Sequence, residues 1–532
     1  MWYLGIVVVA TIVLYYQAYV GGSVSPKIIA GYGMTFPFYV YISVVSNAVG
    51  AFGSLLAGLA DRWGRANLVA YGLLITGLLV LVGIPNATDK WSFAILSCII
   101  GLVEGVILVA TPALIRDFSP QLGRASAMGF WTLGPVVGSL VVAVVSTNTV
   151  SHLGAWQDQY IIAGIAGLVV GVIAVFGLKE LSPQLRDQLM VSLHDRALIE
   201  ARARGIDIEA SVRNPWRQML RWDVIGSAFA ISVFLLIYYA AVGFFTVYFT
   251  IIHGFSLSKA NSIGNWFWAF DGGVLIITGI ISDRLRVRKP FMLVGGIGAI
   301  VMTVIFATLG TNASYTTLVV VISLMAACLA IAYAPWMASF TETVEKHNPA
   351  LTATGLAVWG WIIRVVVALS ALILPIVVGS MTPLITYGTQ TATLSAQYAP
   401  QLATAAAIDP ATQATLQTSP TNTAALTKAV TEIATTFKIT PAAATTRLTQ
   451  LAAVPKADLA FLQEHGTQVQ TAAAAAPGQW KNWWWVCVAG EVLFLPFILV
   501  MTGRWSPRKA REDADEHERR LQEELAALKQ EA

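Results

Sequence analysis

Twelve stretches of about 20 apolar residues each, parted by short polar segments, run through this chain. They lie near residues 3–24, 37–58, 67–85, 92–115, 126–147, 159–178, 223–251, 261–282, 291–310, 315–339, 352–379 and 483–503. At a rise of about 1.5 Å per residue, about 20 such residues cross a ~30 Å hydrocarbon layer. A helix that does so pairs its backbone polar groups internally, as a layer without water requires. Composition agrees: 56% of the residues are apolar and only 12% are charged, where soluble domains carry about 25% charge. The expected fold class is an all-α membrane protein of twelve transmembrane helices. The first run begins two residues after Met1 and is not clearly followed by a small-residue cleavage site. It is therefore expected to stay as a helix and not to act as a signal peptide.

Lys and Arg placement gives the expected orientation. With both termini cytoplasmic, the inside segments carry 24 of the 33 basic residues and the outside segments 8; Arg364 is left over inside a span. The net charge of +4 is mostly this topology signal and does not argue for nucleic acid. Cys98, Cys328 and Cys487 all fall within spans, too scattered for a disulfide pair or a zinc site.

The chain is also a repeat. "LYYQAYVGG" and "IYYAAVGFF" set Tyr15-Tyr16 and Tyr238-Tyr239 223 residues apart; Asp61 and Asp283 are separated by 222, and Pro112 and Pro335 by 223. One offset at three anchors implies two copies of a six-helix unit. Parallel halves about an axis along the membrane normal are a known transporter plan. The expected division is a bundle over 1–178, a cytoplasmic linker over 179–222, a second bundle over 223–503 and a charged cytoplasmic helical tail over 504–532.

The segment "GLADRWGR" after the second span resembles the loop signature of the major facilitator superfamily, and "SDRLRVRK" after the eighth is its echo. The pattern departs at Ala57 and Ala66. "GPVVGSL" in the fifth span (Gly134, Pro135, Gly138, Ser139) is similar to the Gly-Pro-x-x-Gly-Gly pattern of the family's exporters, with Ser139 replacing the last glycine. The family's usual arginine in the fourth span is missing; Gly101 stands there, with Glu104 following. The resemblance covers all twelve spans and implies a fold of two pseudo-symmetric six-helix bundles. It implies a gate in which Asp61, Arg62, Arg65, Asp283 and Arg284 hold the cytoplasmic side, with the start of the eleventh helix, about Thr352–Thr354, as partner of Asp61. The alternative is that Arg62, Arg65 and Arg284 only enforce topology. Gly134, Pro135 and Gly138 are expected to kink or thin their helix for close packing, with or without an exporter's role.

Four ionisable residues sit near span midpoints: Glu104, Asp271, Arg364 and Glu491. An ionised side chain at a helix centre costs about 2.5–3.5 kcal/mol on insertion scales, so such residues normally face the bundle interior and mark a substrate or proton path. The family's arrangement places Glu104, Asp271 and Arg364 within reach of the central cavity. In the repeat they align with Ala327, Val49 and Val136, so none belongs to the shared scaffold. Two roles are open to Arg364. It can hold an anionic substrate group with its forked donors, or serve as counter-ion to Asp271 or Glu104. Glu104 and Asp271 are the candidates for proton coupling. For Glu491 a helix–helix polar contact is the expectation.

Tyr15, Tyr16 and Gln17, with Tyr238 and Tyr239, occupy matching levels of spans 1 and 7; Asn265, Trp266 and Trp268 lie above Asp271, and Trp359 and Trp361 flank Arg364. Aromatic walls with a few polar groups suit an organic ligand better than a bare ion. None of the six histidines lies at a span centre, and there is no phosphate-cradling Gly-x-x-x-x-Gly-Lys-Ser/Thr loop, metal cluster or nucleophile–base motif. The expectation is a secondary transporter and not an enzyme, without cofactor: a proton-coupled carrier of a small organic anion, most simply a carboxylate, in a cytoplasmic membrane. Proton-driven efflux of drugs or hydrophobic metabolites is the alternative, and a non-transporting sensor or scaffold a third reading. Residues 380–481 form a long Ala/Thr/Gln-rich insertion expected outside the membrane, with several short helices, some disorder and room for an unknown partner.

Overall fold

The computed structural model describes residues 2–55, 64–118, 133–179, 215–348, 352–512, 515, 516 and 519, and the regular structure among them is helical. Eleven of these helices are long and apolar enough to cross a membrane, and Gly134–Thr149 is a shorter apolar one. In chain order they are α1 (Trp2–Gly31), α2 (Phe36–Leu55), α3 (Arg65–Asn86), α4 (Lys90–Phe118), α5 (Gly134–Thr149) and α6 (Gln157–Gly177). The second half has α7 (Trp222–Ile251), α8 (Leu257–Leu285), α9 (Lys289–Thr308), α10 (Tyr315–His347) and α11 (Thr352–Val377). Five shorter helices follow: α12 (Met381–Gln397), α13 (Ala399–Ala406), α14 (Pro410–Thr418), α15 (Thr423–Phe437) and α16 (Pro441–Ala452). The last helix is α17 (Lys456–Val500).

Two compact units result: residues 1–378 with 478–532, and residues 379–477. The first holds both six-helix halves. In the N-terminal half α1, apolar all round, packs on α4, α5 and α6, while α2 lies along α4 and α3 along α6. Ile6, Val7, Ala10 and Leu14 of α1 share a core with Val69 and Leu73 of α3, Ile107 of α4 and Ala174 of α6. In the C-terminal half α8 and α9 pack on α10, and α7 packs on α11. Phe494 of α17 meets Phe234 of α7 at 4.7 Å between ring centres. The halves meet through α5 with α8, α2 with α11 and α1 with α7. The first two pairings are the same contact seen twice, since the repeat equates α5 with α11 and α2 with α8.

Helix starts follow local chemistry. Asp89 takes the backbone N–H groups of Trp91 (2.7 Å) and Ser92 (3.1 Å), which begins α4 and holds its carboxyl below the usual range. Ser256 and Ser314 cap α8 and α10 in the same way. The fifth span was expected from 126; its described part opens at Gly134, with Pro135 in the first turn where a missing N–H costs nothing. The seventh span is one run in sequence but breaks at Leu235 (φ −83°, ψ 8°).

The second unit corrects one expectation: the insertion is helical nearly throughout, without the disorder expected of part of it. Ile408, Ala429, Ile433 and Ala444 form its core, with Leu416, Phe437, Leu448 and Leu451 packed against them. Two of its helices share a start in which an isoleucine precedes a cap residue and a proline (Ile408-Asp409-Pro410 and Ile439-Thr440-Pro441), so each apolar residue packs into the core as its helix begins. His465 stacks on Tyr387 at 3.8 Å. The twelfth span, expected over 483–503, is the end of the 45-residue α17.

Candidate substrate and proton site

Where α1 meets α7, tyrosines from the two halves converge. Tyr15 and Tyr19, one helical turn apart, have ring centres 5.5 Å apart. One turn beyond the break in α7, Tyr238 lies 5.4 Å from Tyr239 and 5.1 Å from Trp268 of α8. Broken spans are where transporters place binding groups, because the interrupted ladder frees backbone polar atoms. Tyr15 and Tyr239, from opposite halves, both lie within electrostatic range of Arg364. Glu104 is in range of Tyr15 and Tyr19, and Asp271 of Tyr238 and Tyr333.

The three central charges do not neutralise one another. Arg364 is exposed and makes no hydrogen bond or ion pair with a described residue. Asp271 is buried. Glu104 has a buried Oε1 without a hydrogen-bond partner. Only 11% of the apolar window of α11 is buried, against 50% for α1 and α10, so Arg364 rides on a loosely packed helix.

Several residues expected at the site stand elsewhere. Gln17 is buried within the N-terminal half, where its Nε2 donates to Ala163 O (3.3 Å) and its Oε1 accepts from Thr76 Oγ1 (3.2 Å). Tyr16 is buried beside it in sequence, with its hydroxyl unpartnered, and shows no link to Arg364. Of the two tryptophans expected above Asp271, Trp266 is 48% exposed on the side of α8 that carries Phe270 and Ile277, while Trp268 is buried and meets Tyr238. Trp361 is 69% exposed, one turn from Arg364. Asn265 reaches across the halves, donating from Nδ2 to Thr147 Oγ1 at 3.3 Å. Tyr19 and Tyr333 were not anticipated. Tyr19 was findable, being i+4 from Tyr15 and on the same face; Tyr333 carried no signal in the sequence.

Glu491 lies apart, fully buried among α9, α10 and the end of α17, and accepts a 2.8 Å hydrogen bond from Thr303. Glu491→Gln is expected to keep that contact and leave transport intact. Thr303→Val should cost about 0.6–1.7 kcal/mol of stability. Thermal midpoints in detergent and transport rates check both; loss of transport in Glu491→Gln would return this carboxyl to the mechanism.

The gate residues are partly visible. Asp61 and Arg62 lie outside the described residues, and Arg65 opens α3. Asp283 pairs not with Arg284, which is exposed, but with Arg288 at 2.6 Å; Arg288 also holds Glu342 at 3.1 Å. This cluster ties the ends of α8, α9 and α10. Gly134 and Gly138 open the described part of the fifth span. They are close approaches: a Cβ on Gly134 would meet Thr11, and one on Gly138 would meet Tyr15 and the backbone of Ile12.

At the other end of the bundle the halves are latched. Asn261 donates to Ser23 O (2.9 Å) and Ser258 to Thr147 O (2.6 Å). A Cβ on Gly22 would lie 2.7 Å from Val242 O, so α1 and α7 touch here only because Gly22 has none.

The model of the Major Facilitator Superfamily matches residues 7–371. The chain belongs to that superfamily. Among solved structures, the inward-facing, occupied structure of a bacterial homolog of the human lysosomal transporter Spinster aligns over 93% of this chain and 95% of its own, at 15% identity and a TM-score of 0.55. The MFS transporter asaE of Aspergillus flavus is 26% identical over 157 residues, 28% of this chain and 35% of that protein. The probable anion transporter 2, chloroplastic, of Oryza sativa subsp. japonica is 22% identical over 311 residues, 57% of this chain and 54% of that one. The chain thus spans a third to about half of the length of these curated relatives. The chain is a multi-pass membrane protein of that superfamily, and among the described residues no group of three or more His, Cys, Asp or Glu could hold a metal.

Proposed function

We propose that this superfamily member carries a small organic anion, a carboxylate, coupled to protons by alternating access. The observation that carries the reading is Arg364: a cation within a span, unpaired among the described residues and in electrostatic range of tyrosines from both halves. A guanidinium left free there is a vacant forked donor set for a carboxylate. The phenols of Tyr15 and Tyr239 supply further hydrogen bonds, and Trp268 an apolar wall. A relative bearing the words "anion transporter" fits the same reading. Glu104, with an unpartnered oxygen, and Asp271 are the proton carriers, one in each half.

The orientation with both termini in the cytoplasm rests on the excess of Lys and Arg in the loops assigned inside. It makes the latch of Ser23, Thr147, Ser258 and Asn261 the outer gate and the Asp283–Arg288–Glu342 cluster part of the cytoplasmic one. The pattern Gly134-Pro135-x-x-Gly138 favours a second reading, proton-driven export of lipophilic compounds. Purified protein in liposomes with a trapped pH-sensitive dye separates the two. Mono- and dicarboxylates are expected to move protons; flux with lipophilic cations alone would replace this reading with export.

A further inference from the structure

The turn between α7 and α8, residues 252–256, carries a histidine with nothing to bond to. Both ring nitrogens of His253 are buried, and neither makes a hydrogen bond. The ring lies among aromatic side chains: Tyr248 at 5.4 Å between ring centres, Phe255 at 5.6 Å and Phe249 at 5.7 Å. Tyr248 and Phe249 belong to the end of α7, and Tyr248 is backed by Trp480 and Trp484 of α17, each at 5.2 Å. Phe255 rests on Tyr315 of α10 at 6.2 Å. A neutral imidazole carries one donor and one acceptor, and leaving both unpaired is costly. The imidazolium, with two donors and a charge, is costlier still in such a pocket.

The neighbouring groups do not relieve that cost. Tyr248 comes from α7, and Lys259 from α8, its Nζ 4.4 Å from the centre of the Phe255 ring and 5.4 Å from that of Tyr315. The α9–α10 turn brings the backbone of Thr311, which favours the charged ring but lacks the geometry of a hydrogen bond. Burial prevails and holds His253 below the usual range of a histidine, that is, neutral. The same turn begins the latch. Ser256 caps α8 by accepting from Lys259 N at 3.3 Å, and Ser262 meets Tyr315 at 2.8 Å. Between them, Ser258 and Asn261 make the bonds to Thr147 O and Ser23 O. Beneath lies a cavity of about 40 Å³ between the halves, with Tyr19, Ser23, Ser139 and Asn261 in its polar lining. The packing of the histidine pocket therefore sets where α8 begins, and with it whether the latch residues reach the other half.

We infer that His253 is a proton-operated release for this latch. When the ring takes a proton from water on its free nitrogen, the imidazolium leaves the aromatic pocket for solvent and the α7–α8 turn moves with it. The first turns of α8 then draw Ser258 and Asn261 off Thr147 and Ser23, and solvent gains the cavity beneath. Loss of the proton lets the neutral ring return and the latch close. The released ring titrates at about 6.5, as a solvated histidine does, and the latched ring lower. The latch is thus at full strength above that pH, weakens as pH falls through it, and levels off below the titration of the latched ring. The device needs neither substrate nor the central carboxyls. In the orientation proposed above, acid outside the cell opens the outer gate.

Distances between spin labels, measured by pulsed electron resonance on the full chain in detergent without substrate, test the release. Cys98, Cys328 and Cys487 are replaced by alanine, and labels are attached at Ser151→Cys and Asn312→Cys. Both positions are exposed, in the α5–α6 and α9–α10 turns of opposite halves at the latched end. The ratio of long to short distances is expected to rise as pH falls from about 7.5 to about 5, by up to about tenfold per pH unit. His253→Phe fills the pocket with an apolar ring, and His253→Gln is neutral at every pH; each should hold its ratio flat across the range. A ratio in the His253 protein that does not respond to pH would overturn the inference. So would an undiminished response in either variant, which would place the titrating group elsewhere, at the central carboxyls.

Discussion

Arg364→Ala is expected to abolish carboxylate transport while leaving the protein folded. Nothing described pairs with this guanidinium, so its removal strands no buried partner in the protein; the loss falls on the substrate. Breaking a desolvated charge pair by deleting one partner costs about 3–5 kcal/mol. At about 1.4 kcal/mol per tenfold, that is a loss of about one hundred- to several thousandfold in apparent affinity. Arg364→Lys keeps the charge but not the planar fork, and should bind more weakly than wild type without failing altogether. Uptake of radiolabelled substrate and the thermal midpoint, measured together, are the check. Transport restored in Arg364→Ala by a second change, Asp271→Asn, would make the arginine a counter-ion and end the anion reading.

Glu104→Gln should separate exchange from accumulation. The amide cannot bind and release a proton, so a transporter that uses this carboxyl loses its drive and keeps its substrate site. Exchange of internal for external substrate is then expected to continue, while gradient-driven accumulation falls to equilibrium. Two side-by-side assays in liposomes, one with an imposed pH gradient and one with preloaded substrate, read the two quantities. Persistent accumulation in Glu104→Gln would leave Asp271 as the coupling group.

The architecture was legible because the bilayer permits so little. A span must be apolar for about 20 residues and must satisfy its own backbone, so the spans show directly in the residues. The three central charges were legible for the same reason: each is expensive where it stands and so stands out. What could not be seen was direction. Gln17, one residue after Tyr16 and two after Tyr15, turns into the packing of α1 on α3 and α6, and Trp266 turns away from Asp271 while Trp268 faces the tyrosines. Successive residues on a helix point about 100° apart, and in a span that is apolar all round no polar stripe says which way is inward.

The pairing of the ion cluster was likewise a matter of register. "SDRLRVRK" offers Arg284, Arg286 and Arg288 to Asp283, and the order of residues does not choose among them. In the fold α8 ends at Leu285 and Arg286 turns left-handed (φ 56°), which brings Arg288 back onto both Asp283 and Glu342. The sequence by itself determined the membrane class, the spans, the repeat and the list of buried charges, all consequences of the cost of polar groups in hydrocarbon. Tertiary structure alone decided which side chains share a space: that Arg364 is left unpaired, that Glu491 is held by Thr303, and that a small polar cavity lies between the halves. Those outcomes depend on the rotation and close approach of helices tens to hundreds of residues apart, which the order of residues along one span does not encode.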